Sequence, residues 1–65
     1  MNRIGRVIGL TDTGFEFEDD EGEVYEVGYK GPRVFKALID ALRHDKEITV
    51  VILKDVVVRV IRDWR

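Results

Sequence analysis

Apolar and polar residues alternate over FEFE at positions 15–18 and again over EVYEVGY at 23–29, with a run of acids and one glycine between them. A period of two marks a strand with one buried face and one wet face. Opposing Phe17 to Tyr25, Phe15 to Val27 and Thr13 to Tyr29 turns the four aromatics to one side. Glu16, Glu18 and Glu26 then share the other. A slip of one residue would exchange the two faces, so parity selects this register. It leaves Asp20-Glu21-Gly22 as a three-residue loop whose last position wants a left-handed backbone, and that position is glycine. A β-hairpin is predicted.

Upstream, RIGRVIGL at 3–10 reads as a strand interrupted by Gly5 and Gly9, a pattern that predicts bending, a bulge or close backbone approach. TDTG at 11–14 is a turn by composition. Downstream, Gly31-Pro32 opens a helix, with proline in the first turn where its missing N–H is harmless. Val34, Phe35, Leu38, Ile39, Ala41 and Leu42 fall on one helical face, and the helix is expected to end near Arg43 or His44. Residues 47–53 and 56–61 form the last two strands. A two-residue turn at Lys54-Asp55 would pair Ile52 with Val57 and draw Arg59 among Ile48, Val50 and Ile52. A three-residue loop, Leu53-Lys54-Asp55, pairs Ile52 with Val56, Val50 with Val58 and Ile48 with Val60. The second is preferred, with Asp55 tolerating the left-handed region. Either way Val51, Val57 and Ile61 are expected on the opposite face.

The order β-β-β-α-β-β, with one helix between the third and fourth strands, predicts a mainly β, five-stranded OB-like barrel; an SH3-like barrel is the alternative. Sixty-five residues make one domain spanning 1–65, and the absence of cysteine removes disulfides and thiolate metal sites as supports. No apolar run approaches a membrane span, and residues 1–10 lack a signal-peptide core, so a cytoplasmic location is expected. Serine and glutamine are both missing. That bias fits a thermophilic genome and a thermostable protein, or a computationally designed barrel with no biological ligand.

IGRVIG at 4–9, GEVYEV at 22–27 and the late valine-rich hairpin resemble the N-terminal OB domain of RuvA, the bacterial Holliday-junction branch-migration subunit. The matching positions in the second segment are Gly22, Tyr25, Glu26 and Val27. Val24 departs from the family's second glycine, and the acidic segment that family carries near its final hairpin is reduced to Asp55. The helix-hairpin-helix region that supplies much of that family's DNA grip has no counterpart in this length. The resemblance implies the fold far more than the activity.

Net charge is −2, but eight acids and no lysine or arginine lie between Asp12 and Glu26, leaving the rest of the chain basic. In an OB-like barrel the face around the second and third strands is the usual ligand surface. Glu16, Glu18 and Glu26 on that face oppose phosphate, so nucleic acid is disfavoured there. The acids at 18–23 run consecutively rather than in the alternating pattern of a calcium loop, so their side chains diverge, and strands flank them; no metal or cofactor is expected. His44 beside Asp45 has no serine or cysteine to serve and reads as a favourable charge at a helix C-terminus. No phosphate-cradling glycine motif occurs. An enzyme with a small-molecule substrate is not expected.

Two functions remain. The first is a non-catalytic binding or scaffold module that works by protein contact, in its simplest form a homodimer, through Val51, Leu53, Val57, Ile61 and Trp64. The second is a nucleic-acid accessory protein that uses Arg33, Lys36, Arg59, Arg62 and Arg65, outside the acidic hairpin.

Overall fold

A computed structural model describes residues 1–61. Its elements are β1 (Asn2–Leu10), β2 (Phe15–Asp19), β3 (Val24–Tyr29), α1 (Gly31–His44), β4 (Glu47–Leu53) and β5 (Val56–Ile61). The strands close into a barrel in the order β1-β2-β3-β5-β4, with β4 returning to β1. The molecule is thus the OB-like, mainly β barrel with its helix between β3 and β4. Arg62, Trp64 and Arg65 lie outside the described residues.

The β2–β3 register is the one parity selects: Phe15 opposes Val27, Glu16 opposes Glu26, Phe17 opposes Tyr25 and Glu18 opposes Val24. Gly22 closes the loop at φ 86°, and the Asp19 amide donates to the Glu23 carbonyl at 2.9 Å. Asp19 does more than carry charge. It is the one charged residue buried among the described residues, and its carboxylate accepts from the Glu21 amide at 3.0 Å and the Glu23 amide at 2.9 Å. Those donors would otherwise go unpaired within the loop, so the hairpin is tied by a side chain as well as by its glycine.

Both interior glycines of β1 serve the curvature. A Cβ on Gly5 would stand 2.1 Å from the Glu18 carbonyl oxygen, so β1 and β2 approach too closely there for any side chain. Between Val7 and Gly9 the register shifts by one, with Ile8 as the extra residue. A bulge of this kind bends the strand, which lets β1 pair with β2 on one edge and β4 on the other.

The β4–β5 connection differs from the preferred expectation. It is the two-residue turn, with Lys54 at φ 51° and Asp55 at φ 64°, and it sets Ile52 opposite Val57. Two successive left-handed residues match the right-handed twist of the flanking strands. The difficulty of drawing Arg59 inward is removed by a bulge at Val58, beyond which Val51 opposes Arg59 and Val50 opposes Val60. An inward Arg59 would be a charge desolvated without a partner. The bulge turns it outward and returns Val60 to the core.

Val57 is consequently not on the outer face. It is fully buried, with Phe15, Phe17, Val27, Leu38 and Val50. Helix α1 closes one end of this core with Val34, Ala37, Leu38 and Ala41, and Phe35, Ile39 and Leu42 pack against it. Phe15 stands edge-on to Tyr29 at 5.8 Å between centroids and tilted against Phe35 at 5.6 Å. Tyr29, expected inside, is instead partly exposed at the rim of this aromatic group. The helix ends without glycine: Asp45 takes the left-handed conformation, and the Lys46 amide reaches back to the Ala41 carbonyl at 3.1 Å. Arg6 of β1 fastens this end, donating to the Asp45 carbonyl at 2.9 Å and meeting its carboxylate at 3.2 Å.

Candidate functional site

Residues paired across neighbouring strands share a face, so the ladder assignments map the outer surface directly. Ile61 opposes Thr49, and Thr49 opposes Ile4, giving one row across β5, β4 and β1. In the adjoining row Arg59 opposes Val51, and Val51 opposes Asn2. On the other side of the apolar row, Arg6 stands between Glu47 of β4 and Glu18 of β2, and Glu18 opposes Val24. Ile4 is 44% exposed, Ile61 37% and Leu53, at the end of β4, 57%. Of the residues expected to form an apolar face, the structure therefore brings Val51 and Ile61 together, leaves Leu53 exposed near the turn and removes Val57 to the core. Ile4 and Thr49 complete the row. Ile4 joins only because β1 pairs with β4, a contact between segments far apart in the chain.

The face of β2 and β3 is acidic. Glu16 and Glu26 are exposed, and Glu18 is half-buried. Glu26 is organised: Thr11 and Thr13 from the β1–β2 loop both donate their hydroxyls to its Oε2, Thr13 at 2.8 Å. The loop itself is closed by the Thr11 amide on the Gly14 carbonyl at 2.8 Å and the Gly14 amide on Thr11 Oγ1 at 2.9 Å. These bonds stabilise the carboxylate form, first through Thr11 and then through Thr13, and hold the Glu26 pKa below its ordinary value. A depressed folded-state pKa adds stability that is present above the unfolded-state value and is lost as pH falls through the folded one. A carboxyl NMR titration is expected to show Glu26 titrating below an ordinary glutamate, and Thr11→Val with Thr13→Val to return it toward that range. An unchanged midpoint in the double variant would contradict the role given to the hydroxyls.

The basic residues separate into groups. Arg33 of α1 and Arg59 of β5, distant in sequence, line one shallow groove of about 240 Å³ together with Val34, Ala37, Val58 and Val60. Lys36 is exposed on α1 and is not among the residues lining it. A second depression of about 210 Å³, near the β4–β5 turn, is lined by Met1, Arg3, Tyr25, Ile52, Lys54 and Asp55. The Tyr25 hydroxyl is buried there without a hydrogen-bond partner. Desolvation first, then the charge of Asp19, raises its pKa above the ordinary tyrosine value, so it stays a neutral phenol.

His44 is exposed in the last helical turn, where a positive charge complements the helix dipole. No helix of the described residues is long and apolar enough to cross a membrane, and no three acidic or histidine side chains among them group as metal ligands. In comparisons with known proteins, no family model, curated protein or solved structure matches the chain.

Proposed function

We propose that this barrel is a non-catalytic binding module that works by protein contact, and that its outer β5–β4–β1 face pairs with a second copy of the chain. The observation that carries the reading is the three-strand row Ile61–Thr49–Ile4, with Val51 beside it, displayed on laddered backbone rather than on loops. Apolar side chains gathered on an exposed sheet face mark an interaction surface. The charges bordering the row favour a copy of itself. Arg59 lies on one side, and Glu47 and Glu18 lie on the other, with Arg6 between them and already engaged by the Asp45 carboxylate at 3.2 Å. A two-fold axis near Thr49 lays the Arg59 side of one copy over the acidic side of the other, the self-complementary arrangement a two-fold interface requires. Sedimentation velocity over a concentration series tests this. The wild-type coefficient is expected to rise with concentration, while Ile4→Glu, an exposed position, stays folded and monomeric. A wild-type coefficient that stays flat to the highest soluble concentration would remove the reading.

A second reading, nucleic-acid binding, is favoured by one observation, the shared groove of Arg33 and Arg59. The carboxylates of Glu16, Glu18 and Glu26 on the usual OB ligand face weigh against it. Anisotropy of labelled single-stranded DNA at low salt decides, and no change on adding protein eliminates this second reading.

A further inference from the structure

Strand β5 has unequal edges. Along one it is laddered to β4 from Val56 to Ile61; along the other it meets β3 only at Val56 and Val57. The last backbone bond on that second side is the Lys30 amide on the Val57 carbonyl at 2.9 Å, after which the chain leaves β3 for α1. From Val58 to Ile61 no strand of the described residues lies against this edge, and the space beside it is the groove shared with α1. An open strand edge offers unsatisfied N–H and C=O groups in a fixed direction and is a template for strand addition.

We propose that this groove receives an extended acidic peptide segment, which adds as a short strand to β5 at Val58–Val60. Val34, Ala37, Val58 and Val60 give the groove of about 240 Å³ an aliphatic lining, with room for small apolar side chains, and Arg33 and Arg59 line it as well. In an extended ligand alternate residues point to opposite sides. A segment alternating small apolar residues with Asp or Glu therefore seats one set on the aliphatic lining and offers the other to the guanidiniums. Each guanidinium can hold a carboxylate by two parallel hydrogen bonds. Single-stranded nucleic acid would satisfy the arginines but leave the aliphatic part unfilled, and the groove lining includes no aromatic ring on which a base could stack.

This inference deepens the reading of the chain as a protein-binding module, and its site differs from the outer apolar row. Arg59 borders both surfaces, so Arg33, on α1, is the residue that separates them.

The test uses the full chain and a fluorescein-labelled peptide of alternating Asp and Val, with a Lys-Val peptide and an oligothymidylate of similar length as competitors. The Asp-Val peptide is expected to bind, and Arg33→Glu to weaken it by at least about tenfold, or ~1.4 kcal/mol. Lys36→Glu, the same charge change outside the groove, is expected to weaken it by less than about threefold, as for an exposed charge. Amide chemical-shift changes on binding are expected at Val58–Val60. Equal losses in the two variants, preference for either competitor, or shifts confined to other strands would overturn the proposal. Ile4→Glu distinguishes the two readings. If it retains peptide binding while losing self-association, both stand; if self-association depends on Ile4 but no peptide binds, only the groove proposal falls.

Discussion

Gly5→Ala is expected to leave the chain without a cooperative thermal transition. The added Cβ would lie 2.1 Å from the Glu18 carbonyl oxygen and 2.8 Å from the Asp19 Cα, both backbone atoms of a laddered strand. Neither can turn aside as a flexible side chain could. Gly5 is also paired on its other edge with Ile48, so β1 cannot relieve the clash by moving without disturbing β4. The whole stability of a domain this size is roughly 3–10 kcal/mol, at about 0.05–0.15 kcal/mol per residue. Parting β1 from β2 removes a large share of it. Gly22→Ala is the control, because its Cβ meets nothing within 4 Å although φ is 86°. That variant is expected to lose only about 1–2 kcal/mol, the cost of a left-handed non-glycine residue. Circular dichroism melts separate the two cases. A Gly5→Ala melt within a few degrees of wild type would show that the strands are not held so close.

Phe15→Ala is expected to cost about 3–5 kcal/mol, the range for deleting a buried phenylalanine ring. Phe15 is fully buried at the junction of hairpin and helix, touching the rings of Tyr29 and Phe35. These two also meet each other, at 5.0 Å between centroids. Its loss empties the place where α1 rests on the barrel. Partial collapse around the void would spare some of this cost, and Phe15→Leu is expected to recover part of it by refilling volume. Urea unfolding is the measurement. A midpoint for Phe15→Ala close to that of wild type would mean that the helix does not depend on this ring.

Legibility in the sequence followed the strength of local constraints. The β2–β3 hairpin was readable because parity, the aromatic pattern and Gly22 all select one register. The helix was readable because its apolar face and Pro32 agree. The β4–β5 turn was not, since Lys54-Asp55 lacks the glycine or asparagine that usually announces two left-handed residues. The run VVVRV also looks the same in several registers, so the bulge at Val58 leaves no trace in the pattern, and Val57 faces inward because the unannounced two-residue turn sets it opposite Ile52. Asp19 could not be told from its acidic neighbours, because its burial depends on where the loop amides point. The candidate face was half visible. Val51 and Ile61 are close in sequence, whereas Ile4 joins them only through barrel closure.

That closure has a kinetic side. Asn2 pairs with Val51 and Arg6 with Glu47, so the β1–β4 ladder joins segments more than forty residues apart, whereas the β1–β2–β3 meander is built from near neighbours. Long-range pairing must bear its loop entropy before any contact rewards it, which makes such ladders slow to form. The row Ile61–Thr49–Ile4 exists only once this seam has shut. A chain caught part-way through folding shows its strands but not that surface, so the self-pairing proposed for it would be open only to molecules that have finished.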